Sequence, residues 1–197
     1  YSQLSKTHYI PPLTAADTGN AIPEDQYFYI STPSLTDVAY TIKKVGLSAT
    51  FDIKGIVSKN NPQEIFIDTG FSQLIVTPIS TGQKITDRGF IIEASDLIYV
   101  SIRMEAGGAQ AGALVSKGLS ALGTEFRVGS YTNENPQNNY LNFVSVMATE
   151  DGTNVTFDNL PAGLIIEHYS GAFPINTTLK KGESFTIATN SLSLIHI

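Results

Sequence analysis

The chain contains no cysteine, which excludes a disulfide framework, a thiolate metal site and a cysteine nucleophile. Basic residues are scarce. Against 18 Asp and Glu there are only 12 Lys and Arg, a net charge of -6, so the cationic surface that phosphate backbones require is missing and nucleic acid is not an expected partner. The two basic doublets, Lys43-Lys44 and Lys180-Lys181, read as solvated strand or turn positions rather than as a polyanion or lipid patch. No apolar run approaches the roughly 20 residues needed to cross a bilayer, so membrane insertion is not expected, and no signal-peptide pattern is present. The sequence begins at Tyr1 without a methionine and is read as a processed or excised piece. At 197 residues and 42% hydrophobic, it is long and apolar enough to bury a sizeable core.

What is present is strand after strand. "QYFYIST", "VAYTIK", "EIFID", "QLIVTPI", "GFIIEA", "LIYVSIRM", "EFRVGSY", "LNFVSVMA", "NVTFD", "GLIIEHY" and "SFTIAT" alternate apolar and polar residues, and Gly, Pro, Asn, Asp or Ser breaks nearly every junction. This pattern predicts an all-β, antiparallel fold. The one stretch with helical spacing, "GALVSKGLSAL", is interrupted by Gly112 and Gly118 and followed by Gly123, which argues against a stable helix. Proline-rich "HYIPPLTAADTGNAIPEDQ" reads as an extended N-terminal arm. "EAGGAQAG" and "TNENPQNN" read as loops longer than a hairpin turn.

An internal echo organises the chain. "ISTPSLTDVAY" from Ile30 lies over "MATEDGTNVTF" from Met147 without a gap, matching Thr32 to Thr149, Val38 to Val155 and Tyr40 to Phe157. A second echo sets "DTGFSQLIV" on "KKGESFTIA", with Gly70 on Gly182. Two echoes at nearly the same offset predict a duplicated β unit. Expected boundaries are an N-terminal arm over 1–23, a first β-sandwich unit over 24–105, a Gly/Ala-rich connection over 106–122 and a truncated second unit over 123–197. Two packed sandwiches are the expected architecture, with one large sandwich or propeller-like blades as alternatives.

The echo also interprets Glu150, Asp151 and Asn154. The first copy has Pro-Ser-Leu where the second has Glu-Asp-Gly, so the unit does not require the acids. Asp-Gly instead fits a tight hairpin turn, and the set is too sparse for a calcium loop. Nucleophile elbows, phosphate loops and dinucleotide fingerprints are absent, and His8, His168 and His196 lie far apart, without metal-ligand spacing. No catalytic residue, metal or cofactor is expected. Carboxylate pairs for glycoside hydrolysis, such as Glu93 with Asp96 or Asp87 with Glu105, flank strands where charges normally face water. The one expected ligand site is the Asn-rich loop, where Tyr131, Asn133, Asn135, Asn138 and Tyr140 combine ring faces with amides suited to a sugar.

Long stretches carry a resemblance. "LSKTHYIPPLT", "YFYISTPSLTDVAYTI", "GFIIEASDLIYVSIRM", "GGAQAGALVSKGLSALGTEFRVGSYTNE" and "NFVSVMATEDGTNVTFDNLPAGLIIEHY" resemble, in that order, the N-terminal region of large surface and secreted proteins of gliding-type bacteria. Those proteins commonly end in a gliding-motility-associated, type IX secretion sorting domain. The region is also similar to the N-terminal domain of IgGFc-binding protein, and the likeness runs to about Thr189. It implies a non-enzymatic, extracellular binding or adhesion module at the N-terminus of a cell-surface or secreted protein. The implied partners are a glycan or protein ligand and neighbouring domains of the same polypeptide. Alternative readings are a self-associating stalk or filament module and a carbohydrate-active β domain.

Overall fold

The computed structural model describes residues 3–19, 22–107, 110–129 and 140–190. In chain order its strands are β1 Ser5–Ile10, β2 Leu13–Thr14, β3 Pro23–Ser31, β4 Val38–Lys44, β5 Ile53–Val57, β6 Gln63–Thr69 and β7 Ile75–Val76. They continue as β8 Lys84–Ile85, β9 Phe90–Ala106, β10 Gln110–Val115, β11 Asn142–Met147, β12 Thr153–Phe157, β13 Ile175–Leu179 and β14 Ser184–Thr189. Among the described residues the only helical turns are short 3-10 segments, one of them at Gly118–Ala121, where helical spacing met glycine. Pairing is antiparallel except between the two-residue strands β2 and β7.

The all-β expectation holds, and β9 sets its form. The first half of this 17-residue strand lies between β4 and β1, the second between β3 and β10. With β5 outside β4 and β6 outside β3, the seven strands form one sheet folded over into a nearly closed, barrel-like sandwich. Phe28 of β3 meets Phe90 of β9 edge-to-face at 5.1 Å across the interior, beside Ile30, Ile42, Ile92, Ile98 and Val100, all essentially buried.

For one strand to serve both layers it must bend, and a bend frees backbone groups. Between the pairs Ser5↔Ile98 and Thr7↔Glu93, β9 advances five residues while β1 advances two. Side chains donate to three carbonyls along this stretch. Lys6 Nζ donates to Ser95 O at 3.2 Å, Thr32 Oγ1 to Leu97 O at 2.7 Å and His8 Nε2 to Ile98 O at 3.2 Å. With Nε2 carrying the proton, His8 Nδ1 accepts from Ser116 Oγ at 2.8 Å, tying the strand to the segment after β10.

The second half repeats the connectivity on a smaller scale. In the first half β4 pairs with β5 inside an outer pair, β3 with β6; in the second, β12 pairs with β13 inside β11 with β14. The first echo keeps phase at the inner pair, where Val155 and Phe157 stand as Val38 and Tyr40 do, facing their cores. It slips by one residue at the outer pair. Ile30 faces the first core, whereas Val146 rather than Met147 faces the second, and Met147 reaches back to Gly89. The second echo falls on non-equivalent places, since Gly70 follows β6 whereas Gly182 precedes β14.

The second core gathers Phe157, Leu164, Ile166, Ile175, Leu179, Phe185 and Ile187. Every residue of β14 is buried, because its other face lies against the first half. β8 extends the β11–β14 sheet, and Gly82 N donates to Thr186 O at 2.8 Å. This seam is polar: Ser145 and Thr186 hydroxyls bond at 2.8 Å, while Ser184 Oγ is buried with no partner among the described residues. Gly89 sits at its rim with φ 90°, where a Cβ would come within 2.6 Å of both Ile10 O and Met147 Cε.

Several expected elements take other forms. "HYI" belongs to β1 and "QAG" to β10, both held by β9. "EFRVG" carries no strand over 125–129, and in "GLIIEHY" Leu164 and Ile166 plug the second core without strand pairing.

Burial pushes the His8 imidazole below its ordinary 6.5, against the hydrogen bond to Ile98 O, which favours the charged form. The folded state therefore binds this proton less readily than the unfolded chain. Stability present above pH 6.5 declines as pH falls below it, by at most about 1.4 kcal/mol per pH unit from this group. The melting temperature is expected to drop between pH 7.5 and 5.5, and His8→Gln to flatten that dependence; an unchanged pH profile in the variant would refute it. For the lone hydroxyl, Ser184→Ala is expected to be neutral or stabilising by about 1 kcal/mol in urea denaturation. A clear loss of stability would mean that Ser184 has a partner.

Candidate functional site

The sequence "QYFYIS" places apolar or aromatic residues in both phases of one strand. Phe28 and Ile30 go inward, so Tyr27 and Tyr29 must go outward. On β6 the same logic sends Ile65 and Ile67 in and Glu64 and Phe66 out, until a bulge at Ile67 sets Asp68 opposite buried Gln26. On the second half of β9, Ile98, Val100 and Ile102 face the core, leaving Tyr99, Ser101 and Arg103 on the other side.

Register brings these outward residues together. Tyr27 stands opposite Phe66 on one side and Arg103 on the other, and Tyr29 stands opposite Glu64 and Ser101. The Tyr27 and Phe66 rings meet edge-on at 5.6 Å, with Tyr29 6.4 Å from Tyr27. Phe66 remains 54% exposed and Tyr29 37%, high values for large rings on a sheet. At one end of the face a notch of about 390 Å³ opens between Tyr29, Tyr99, Gln63 and Glu64.

The electrostatics are acidic. Tyr27 OH donates to Asp25 Oδ2 at 3.2 Å; desolvation first, then that bond and the Asp25 charge, raise its pKa above 10.0. Tyr29 is raised chiefly by its hydrogen bond to the Glu64 carboxylate, with desolvation next. Both phenols stay neutral at physiological pH and offer ring faces and hydroxyls. Among the described residues no cation pairs with Glu64 or Asp68.

A second surface feature lies on the β12–β13 hairpin, a depression of about 260 Å³ over Asn154, Thr156, Asn176 and Thr178. Its polar groups satisfy one another: Thr156 Oγ1 donates to Asn176 Oδ1 at 2.8 Å and Thr178 Oγ1 to Asn154 Oδ1 at 2.7 Å. Both hydroxyl protons are thus already engaged, and the aromatic face is the better candidate.

The loop site read from sequence is mostly beyond reach. Tyr131, Asn133, Asn135 and Asn138 lie outside the described residues, while Tyr140 OH accepts a hydrogen bond from Gln110 Nε2 at 3.0 Å, next to the start of β10. Glu150, Asp151 and Gly152 form a turn with Gly152 at φ 75°, and Asp151 Oδ1 accepts the Lys181 N–H at 2.9 Å. Three of the four carboxylates weighed for hydrolysis are engaged with cations. Lys43 holds Glu93 at 2.7 Å, Lys6 holds Asp96 at 3.6 Å and Arg88 holds Asp87 at 2.9 Å. Among the described residues no cluster of three His, Cys, Asp or Glu is placed to hold a metal ion, and no helix is long and apolar enough to cross a membrane.

Residues 111–196 match the model of a family described as IgGFc binding protein, a span of less than half the 197-residue chain. It includes most of β10 and all of β11 to β14, so it meets the sheet bearing the aromatic face only at β10. No curated protein and no solved structure matches the chain.

Proposed function

We propose that this chain is a non-enzymatic, extracellular binding module of a bacterial cell-surface or secreted protein, taking a glycan or protein ligand on the outward face of β3, β6 and β9. The observation that carries this reading is the group of exposed Tyr29 and Phe66 with half-buried Tyr27 beside Arg103. Tyr and Arg lead the residues that dominate binding energy at protein interfaces, because they bring large contact area and polar tips at low entropic cost. Rings flanked by hydroxyls and carboxylates equally suit the C–H faces and hydroxyls of a sugar.

The match over residues 111–196 supports a binding role, since the family's name describes binding to the Fc part of an antibody. Adhesion, an N-terminal position in a large polypeptide and export by type IX secretion are supported by the resemblance of the sequence to surface proteins of gliding-type bacteria. The cation-paired carboxylates favour binding over hydrolysis.

The whole chain, immobilised on beads, tests this against a panel of glycans and extracellular proteins including antibody Fc. A ligand should be captured, and Tyr27→Ala with Tyr29→Ala should weaken capture at least tenfold, the scale of hot-spot truncations, with the melting temperature little changed. Capture that survives these substitutions but is lost on Thr156→Ala with Thr178→Ala would move the site to the hairpin. Failure to capture any member would remove the binding reading.

A further inference from the structure

In the first half β9 lies along the β4 edge remote from β5 and, past its bend, along the β3 edge remote from β6, antiparallel to both. The second half repeats β3 to β6 as β11 to β14, but among the described residues β12 pairs only with β13 and β11 only with β14. The two edges that β9 fills in the first half therefore carry no strand in the second.

Backbone direction shows that the β11 edge is the equivalent one. Ala148 N donates to Glu183 O at 3.0 Å and Gly182 N donates to Ala148 O at 2.8 Å, so Ala148 turns its polar groups to the β14 side. This direction alternates along a strand, so Phe143, Ser145 and Met147, which face away from the second core, turn theirs to the free edge. β3 behaves alike. Val100 O turns to Ser116 N at 3.0 Å, which leaves the next residue, Ser101, to bond outward-facing Tyr29 across the β3–β9 ladder.

The second core registers the difference. Phe28, Ile30 and Val38, on the strands that β9 flanks, are at most 1% exposed, whereas Val144, Val146 and Val155, inward on β11 and β12, are only half-buried. Neither β11 nor β12 carries a charge, while the edge strands β5 and β6 carry Lys54 and Glu64. Charges of that kind guard an edge against pairing, and an uncharged edge beside a half-covered core suits a neutral, apolar strand. A second copy fits less well. Its β11 is six residues long and would cover one edge while leaving β12 bare, and it would bring together two chains of net charge -6. One bent strand with the alternation of β9 covers both edges at once.

We propose that the free edges of β11 and β12 form a slot for a bent, extended segment of another protein with the apolar alternation of β9. It adds antiparallel to both strands and closes the second half as β9 closes the first, without involving the aromatic face.

The probe is a capped peptide of residues 90–102, flanked by lysines for solubility and added to the isotopically labelled 197-residue chain. Hydrogen exchange at the Phe143, Ser145 and Met147 amides should slow by at least about tenfold, and a peptide of the same composition with its alternation scrambled should leave it unchanged. Ser145→Pro removes an outward N–H and none of those bonded to β14, so it should abolish the slowing at Phe143 and Met147. If that variant melts far below the natural chain, the two peptides on the natural chain decide alone. Unchanged exchange at millimolar peptide, or equal slowing by the scrambled peptide, would overturn the proposal. So would slow exchange in the free chain: as a dimer in sedimentation it would give the edge to a second copy, as a monomer to the chain's own residues. Changes confined to β3 and β4 would mean that the peptide displaces β9 instead, and would overturn it too.

Discussion

The structure depends on the bend in β9. A single strand that pairs with β4 in one layer and β3 in the other fixes how the layers face each other, and with that the whole first core. The bend is supported from both flanks: Lys6 and His8 reach it from β1, Thr32 from the β3–β4 connection, each donating to a carbonyl of the bent stretch. Core-facing residues keep even numbers on both sides of the bend, Phe90 and Ile92 before it, Ile98, Val100 and Ile102 after. Tyr99 and Arg103 are thereby committed to the outer face, with Ser101 covered between its neighbours, so the architecture of the core and the composition of the candidate site are one constraint.

The strands that pack the two cores were legible because burial on one face imposes a period of two. β3, β4, β6, β12 and β14 all fall where alternation placed them. Elements defined by their partner rather than by their own residues were not. β1 is rich in polar residues and runs into prolines, and β10 is mostly small residues, so neither carries a strand's composition. Both are strands because β9 offers each an edge. The bend itself read as a break between "GFIIEA" and "LIYVSIRM", since Ser95 and Asp96 look like turn residues. In "GLIIEHY" the apolar residues are buried as expected, but strand pairing is not what buries them.

The duplication was legible at the same level and for the same reason. Inward positions of the inner hairpin are restricted by packing, so Val38 with Tyr40 and Val155 with Phe157 still align. The connection before it carries no such restriction, and a slip of one residue there passes without trace in a gapless comparison. What it changes is the outer strand. Met147 turns from the second core toward Gly89 in the first half, and the hydroxyls of Ser145 and Thr186 line a seam that the first half closes. The two halves are joined by Gly82 N donating to Thr186 O, by the Lys84–Glu183 ion pair and by Phe143 packing on the first core.

The candidate site was visible in the letters but not in the rule used to read them. Alternation assigns one phase of a strand to the core and treats the other as solvent-facing filler, yet "YFYI" and "EIFID" put rings into both phases. A second apolar phase on an exposed face adds nothing to the core. Phe66, more than half exposed, gains little from burial, while its ring meets Tyr27 edge-on beside the Glu64 carboxylate that accepts the Tyr29 hydroxyl. Stability does not require that arrangement, because Ile65 and Ile67 already anchor β6 from the inside. Rings grouped on one exposed face make physical sense as a contact surface for a ligand, and that grouping needs the register of β3, β6 and β9, which no single strand sequence contains.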